Sequence, residues 1–315
     1  MKTQLALMGG LGNQLFQLAQ SIEISSRKNG QKIHLNPNLG HYRTNSLGQP
    51  EICSFDIPPE IVVLDKRFYR KWLGKLLGHR RKIMLNPVGI EKIAIYRYLL
   101  SIIVFAHTFL ILGSRGRVQI IEEIGFQDTQ LFNQNTIYMG YFQTFRYSES
   151  TQSKLMKLSS RENEETQAAY KGLAKQSSPL VVHIRLGDYL LESNFGVPSS
   201  DYYEISIQRQ MSTNVYDSIW LFSDNFERAI SFIPKEYKSL VRCVDEAQKS
   251  SAATLEIMRL GKGYVIGNST FSWWGAKLSY QENPIVIAPD PWFQGMPEPK
   301  ELIPPEWQRV KAWEN

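Results

Sequence analysis

Residues 263–276 read Gly-Tyr-Val-Ile-Gly-Asn-Ser-Thr-Phe-Ser-Trp-Trp-Gly-Ala. Tyr264-Val265-Ile266 is a short apolar run of the kind that forms a buried strand, and Asn268, Ser269 and Thr270 stand where a helix begins. A strand that feeds a helix N-terminus brings unpaired backbone N–H groups and the positive end of aligned peptide dipoles to one point, which suits a phosphate. Trp273 and Trp274 follow one turn later. They either offer stacking surface to a sugar or nucleobase, or fill the core behind an ordinary Asn/Ser-capped helix.

The same alternation extends on both sides of this stretch. Strands are expected at Leu180–Ile184, Ser218–Phe222, Leu240–Val244, Tyr264–Ile266 and Pro284–Ala288. Between them come a helix opened by Asp201 with Glu204 as its capping box, one from Asn225, one near Ala252–Leu260 and one from Ser269. Strands alternating with helices make a doubly wound parallel sheet, so the fold class is α/β. The N-terminal half opens in a related way. A strand at Gln4–Met8 runs into Gly9-Gly10-Leu11-Gly12, then a helix carried by Leu15, Leu18, Ala19 and Ile22, then a strand at Lys32–Leu35. The glycines permit a tight turn and close approach of a ligand, although Gly-Gly-Leu-Gly is not the GxGxxG of dinucleotide sites. Residues 36–60 read as loop, 61–112 as largely helical, and Asn135–Phe142 as a strand or turn. A chain of 315 residues exceeds what one core sustains. The polar stretch 149–178 marks the boundary, giving domains 1–150 and 151–315.

Charge is unevenly spread. Residues 1–150 hold 18 Lys and Arg against 10 Asp and Glu, whereas 151–315 hold 18 against 20. The excess gathers at Lys66, Arg67, Arg70, Lys71, Lys75 and Arg80-Arg81-Lys82. No nucleic-acid motif accompanies it, so an anionic membrane surface or the substrate is the expected partner. From Tyr98 to Ser114 no Asp, Glu, Lys or Arg occurs. That run is short for a span and reads as a buried or interfacial helix, with peripheral contact at the inner face of a membrane. Cys53 and Cys243 lack zinc or disulfide spacing and read as free thiols of a reducing compartment. The N-terminus is too short in its apolar part for a signal peptide or a Golgi anchor, so a cytoplasmic, bacterial protein is expected.

Ligands of such sheets sit beyond the carboxyl ends of the strands, and three of those ends are polar here. His183 and Arg185 share parity, so both leave their strand on one face, and Arg185 offers a planar fork of donors to a phosphate. Ser223 and Asp224 end the next strand, with Asp224 either at the ligand or capping a helix. Asn268, Ser269, Thr270 and Phe271 form the third end. Asp245 and Glu246 stand just past another strand end and are candidate acceptors for the N–H groups of a nucleobase. No Asp-x-Asp occurs, so the usual metal clamp of nucleotide sugars is absent from the sequence, and a guanidinium with a helix N-terminus can neutralise a departing diphosphate instead. GxxxxGK[ST] and GxSxG are absent too, which argues against a P-loop kinase and an α/β-hydrolase.

Gly9-Gly10-Leu11-Gly12-Asn13-Gln14, His183-Ile184-Arg185-Leu186-Gly187-Asp188-Tyr189, Phe222-Ser223-Asp224 and Asn268–Ala276 resemble the motifs of the α-1,2-fucosyltransferases, glycosyltransferase family 11. Gly140-Tyr141-Phe142-Gln143 and Pro289-Asp290-Pro291-Trp292-Phe293 are similar to that family as well, so the resemblance runs from residue 9 to 293. It implies a GT-B architecture, with two Rossmann-like domains facing across a cleft and GDP-fucose held by the C-terminal one. It implies inverting transfer to the 2-hydroxyl of a galactose-terminated glycan, without a cofactor or essential metal. Donor contacts then fall to Arg185, His183 and the Ser269–Phe271 turn, while Gly10, Gly12, Asn13 and Gln14 close the cleft from the N-terminal side. The family's His-x-Arg-Arg-x-Asp has Leu186 in place of its second arginine, which puts donor choice in question.

Direct displacement needs a base for the acceptor hydroxyl. Asp188 is the leading candidate, the alternative being that it orients Arg185 by a salt bridge; Glu192 is next. Two other functions compete: transfer from another nucleotide sugar, or a non-catalytic glycan- or membrane-binding role on the same fold.

Overall fold

The computed structural model describes residues 2–65, 117–121, 123–187, 189, 194–245, 250–299 and 301–313. The basic cluster 66–82, the apolar run 98–114, Glu246, Asp188 and Glu192 therefore lie outside the described residues. The chain divides into two compact units, Met1–Leu158 and Ser159–Asn315.

In the first unit the described strands are β1 (Gln4–Ala6), β2 (Ile33–Asn36), β3 (Ile61–Val63), β4 (Arg117–Ile120) and β5 (Thr136–Met139). They pair in the order β3-β2-β1-β5-β4, every pair parallel. The helix Leu11–Arg27 buries Leu15, Leu18, Ala19 and Ile22 completely, as their spacing requires. Ile61–Val63 is a strand, which corrects the helical expectation from residue 61. A three-residue apolar run carries no periodicity to separate the two states.

The second unit holds β6 (Pro179–Ile184), β7 (Ser218–Ser223), β8 (Val241–Cys243), β9 (Gly263–Ile266), β10 (Ile285–Asp290) and β11 (Gln308–Lys311). Their order is β11-β10-β9-β6-β7-β8, again wholly parallel. Counted from β6, this is the 3-2-1-4-5-6 order of a doubly wound dinucleotide fold, read from the other edge. Both faces of the sheet are covered. Leu180, Val182 and Ile184 meet Tyr202, Tyr203 and Ile207 of the helix Ser200–Thr213. On the opposite face, Trp220 of β7 meets Tyr170 of the helix Glu164–Gln176 edge-on, at 5.1 Å between ring centroids. Two Rossmann-like units in succession are the architecture that the resemblance implies.

Two local readings change. Ser199, not Asp201, caps the helix Ser200–Thr213 by accepting from the Tyr202 N–H. A sixth strand, β11, was not expected in this sheet. Among the described residues no helix is long and apolar enough to cross a membrane.

Candidate functional site

The strand order reverses between β6 and β9, which are neighbours in space, with His183 opposite Ile266. This is the topological switch point, where a doubly wound sheet opens a crevice beyond its strand ends. Two of the polar strand ends meet there, and the third, after β7, adjoins β6 with Ile184 opposite Ser223. Sequence order alone keeps these segments apart; the sheet brings them to one edge.

Beyond β6 the chain is tied to the end of β7. The Asp224 carboxylate accepts from the Leu186 N–H at 2.9 Å and the Gly187 N–H at 3.0 Å, and Arg185 Nε lies 3.2 Å from its Oδ2. A Cβ at Gly187 would lie 2.6 Å from Asp224 Oδ2, so any side chain there would push the carboxylate out of this position. Asp224 is therefore no helix cap. That role falls to Asn225, which accepts from the Arg228 N–H. Ser223 spends its hydroxyl locally, donating to the Asn225 carbonyl and accepting from the Asn225 N–H. Leu186 is 1% exposed and packs into the core on the Tyr202 side. The residue that replaces the family's second arginine thus turns away from the strand-end crevice into apolar surroundings.

His183 is buried, and its ring lies 6.2 Å from that of Phe271, centroid to centroid. Burial, reinforced by the Arg185 charge and partly offset by Asp224, pushes its pKa down to about 3. The imidazole is therefore neutral, and its Nδ1 finds no hydrogen-bond partner among the described residues. Arg185 is partly exposed and lies over the Tyr189 ring at 5.8 Å, and Tyr189 stacks on Phe195 at 5.3 Å.

Beyond β9, the Gly267 N–H donates to the His183 carbonyl at 3.0 Å. Asn268 is buried and donates from Nδ2 to the carbonyls of Phe195 and Gly196, pinning that loop to the strand end. Ser269 caps the helix Thr270–Lys277, its Oγ accepting from the Phe271 N–H. The remaining first-turn N–H groups have no intrahelical partner, and Thr270 and Phe271 are partly exposed at that end.

The tryptophans do not serve the site. Trp273 and Trp274 are buried against each other, and Trp273 Nε1 donates to the Leu302 carbonyl while its ring meets Trp307. Of the two readings they take the core one, and the C-terminal stretch covers Trp273 through Leu302 and Trp307. Asp245 is exposed, two residues past the edge strand β8.

The first unit has its own switch point, between β1 and β5. Gly9 takes φ +74°, and a Cβ on it would collide with the Asn13 amide. Asn13 Oδ1 accepts from Gln143 Nε2 at 3.0 Å, so the glycine loop and the Gly140–Gln143 turn meet. Gln14 is buried and donates to the Gly9 and Arg43 carbonyls while accepting from the Ile52 N–H. It holds the loop in shape. Gly10 precedes the helix, and Gly12 is buried in its first turn.

Tyr202, Tyr203, Phe195 and Gly196 support these strand ends but were missed in the sequence. Their contacts join residues 20 to 73 apart in the chain, and no local spacing marks them.

The model of the family described as glycosyl transferase family 11 matches residues 94–311. An alpha-1,2-colitosyltransferase of Escherichia coli is 29% identical over 326 residues, 97% of each protein. The O-antigen biosynthesis glycosyltransferase WbnK of Escherichia coli is 34% identical over 129 residues, which is 40% of this chain and 42% of that protein. Among solved structures, the fucosyltransferase NodZ from Bradyrhizobium aligns at TM-score 0.46 and 16% identity, over 89% of this chain and 93% of that one. The ADP-heptose lps heptosyltransferase II of E. coli aligns at TM-score 0.49 and 12% identity, over 98% and 90%. Matched by the family model over more than half its length, this chain belongs to glycosyl transferase family 11 and is a glycosyltransferase.

Proposed function

We propose that this enzyme transfers fucose from GDP-fucose to the 2-hydroxyl of a galactoside in glycan synthesis, inverting the anomeric carbon without a metal. The observation that carries the reading is Arg185 standing beyond β6 while the Ser269-capped helix begins beyond the neighbouring strand β9. A guanidinium and free helix N–H groups at one crevice suit a leaving diphosphate. His183, Thr270 and Phe271 complete this donor side. Asp245 is the proposed guanine acceptor, and Asn13 with the glycine loop belongs to the acceptor-side domain, 1–150. Asp188, or Glu192 after it, takes the acceptor proton. The enzyme works in the cytoplasm and touches the membrane peripherally through the basic segment 66–82.

Incubation with GDP-fucose and lactose in the presence of EDTA is expected to yield a product fucosylated at the galactose 2-hydroxyl, with an α linkage by NMR. A requirement for Mn2+ would overturn the metal-free part. Absence of transfer to every β-1,3- and β-1,4-galactoside tried would overturn the acceptor.

A second donor is favoured by one observation: the relative aligned along 97% of both chains is a colitosyltransferase. Colitose is fucose lacking the 3-hydroxyl. A pocket that hydrogen-bonds that hydroxyl discriminates strongly against its loss, whereas an apolar pocket discriminates weakly. GDP-colitose and GDP-fucose in direct competition decide which sugar is transferred.

A further inference from the structure

We infer that Asp224 is the positioning residue of Arg185: it presents the guanidinium to a nucleotide diphosphate and makes no contact with the phosphates itself. This rests on the diphosphate reading of the β6–β9 crevice given above.

The sheet register creates the pair. With Ile184 opposite Ser223 on parallel neighbours, the next residue on each strand, Arg185 and Asp224, comes out side by side. The carboxylate is then held from three directions, by the Leu186 N–H, the Gly187 N–H and Arg185 Nε. Its two backbone bonds fix where it stands, so it is a fixed anchor for the arginine instead of a second mobile side chain. Nε is the innermost nitrogen of the guanidinium, and a contact there sets the plane of the whole fork from its stem. Bidentate recognition of a phosphate depends on that plane, which a flexible arginine must otherwise adopt at an entropic cost.

The chemistry of Asp224 argues against a direct role at the phosphates. A carboxylate facing a diphosphate repels it, and both oxygens are already turned toward protein donors. Gly187 belongs to the same device. An added Cβ would lie 2.6 Å from Oδ2, so the carboxylate would have to leave the place from which it accepts the two N–H groups. A leucine at 186, buried on the other face, leaves this single anchored arginine as the cation that β6 sends out from its end.

A double-mutant cycle on diphosphate binding by calorimetry tests this, with GDP as probe and full-length protein throughout. Arg185→Ala is expected to weaken GDP binding at least ~10-fold, and Asp224→Asn ~5- to 30-fold. The double variant is expected to bind as Arg185→Ala does, within ~2-fold, since a positioning residue has nothing left to position. Gly187→Ala is expected to reproduce Asp224→Asn with the carboxylate still present, which covers the case in which Asp224→Asn folds poorly. Losses that multiply in the double variant, or an Asp224→Asn protein that binds within 2-fold of wild type, overturn the inference. A wild-type protein that binds UDP and not GDP overturns the GDP reading alone, and the cycle run with UDP then decides the role of Asp224. Binding of neither nucleotide, nor of pyrophosphate, overturns both.

Discussion

The hydroxyl of Tyr202 donates to the carbonyl of Ile266, the last residue of β9, at 2.5 Å. Its neighbour Tyr203 reaches the His183 carbonyl near the end of β6 at 3.4 Å. Two phenols of one helix thus hold, from beneath, both strands that flank the switch point. Tyr202→Phe removes a buried donor and is expected to cost about 1–2 kcal/mol of stability. The measurement is the urea midpoint at unchanged m-value; an unmoved midpoint would show that this bond contributes nothing net.

In the proposed reaction Arg185→Ala withdraws a charge-assisted contact from the departing diphosphate. Turnover is expected to fall at least ~10²-fold, as when an oxyanion donor is lost. A rate near that of wild type, measured at saturating donor, would remove Arg185 from the chemistry.

Asp188→Asn is expected to lower kcat at least ~10²-fold, the low end for general-base catalysis, with GDP affinity little changed. If affinity falls in step, Asp188 acts through donor binding. If kcat stays within a few-fold of wild type, Glu192 is the next carboxylate to replace.

Stability should fall on mild acidification. The folded pKa of His183 is pushed down to about 3 by burial and by Arg185, against about 6.5 in the unfolded chain. His34 is lowered as well, by burial and then by Lys2 and Lys32. In that window the unfolded state binds more protons, so the contribution is complete above about pH 6.5 and is lost as pH falls toward the folded values. Each such histidine contributes a slope of up to about 1.4 kcal/mol per pH unit. Glu23 adds a second fall below its ordinary range. Burial opposes its ionisation, but bonds from the Ser148 hydroxyl and N–H, from Thr151 and from Arg27 outweigh that and lower its pKa. Denaturation at pH 7, 6 and 5 checks the first part, and His183→Asn should flatten it.

Glu256 and Arg259 form a fully buried ion pair at 3.0 Å, with Tyr280 donating to the same carboxylate and Arg259 Nε donating to the Leu278 carbonyl. Glu256→Leu alone strands a guanidinium and is expected to cost about 3–5 kcal/mol. Glu256→Leu combined with Arg259→Met should recover a large part of that loss. A double variant worse than the single one would contradict this account.

The strand ends were legible because Leu180–Ile184, Ser218–Phe222 and Tyr264–Ile266 are short apolar runs stopped by polar turn residues and alternating with helical segments, and that alternation reads as buried parallel strands. β11 was not. Gln308-Arg309-Val310-Lys311 has one apolar residue, and at a sheet edge Val310 alone is buried. The Ser269 cap could be read from the chain, but the burial of Trp273 could not, because Leu302 and Trp307 meet it from about thirty residues on. The pairing of Arg185 with Asp224 was equally hidden. It follows from the register of β6 on β7, and register is set by the hydrophobic faces of both strands together.

The adjacency of β6 and β9 also has a kinetic side. Between them in the chain lie β7, β8 and the helices that join them, so Arg185 and the Ser269 turn meet only after a long loop has closed. Contacts of that sequence separation form late and slowly. A fragment ending before β9 has half a crevice, and on the proposed reading grip on a diphosphate arises only with the finished sheet. Nucleotide is then expected to stabilise the second unit as a whole against unfolding, by about 2.7 kcal/mol at a hundredfold excess over its dissociation constant.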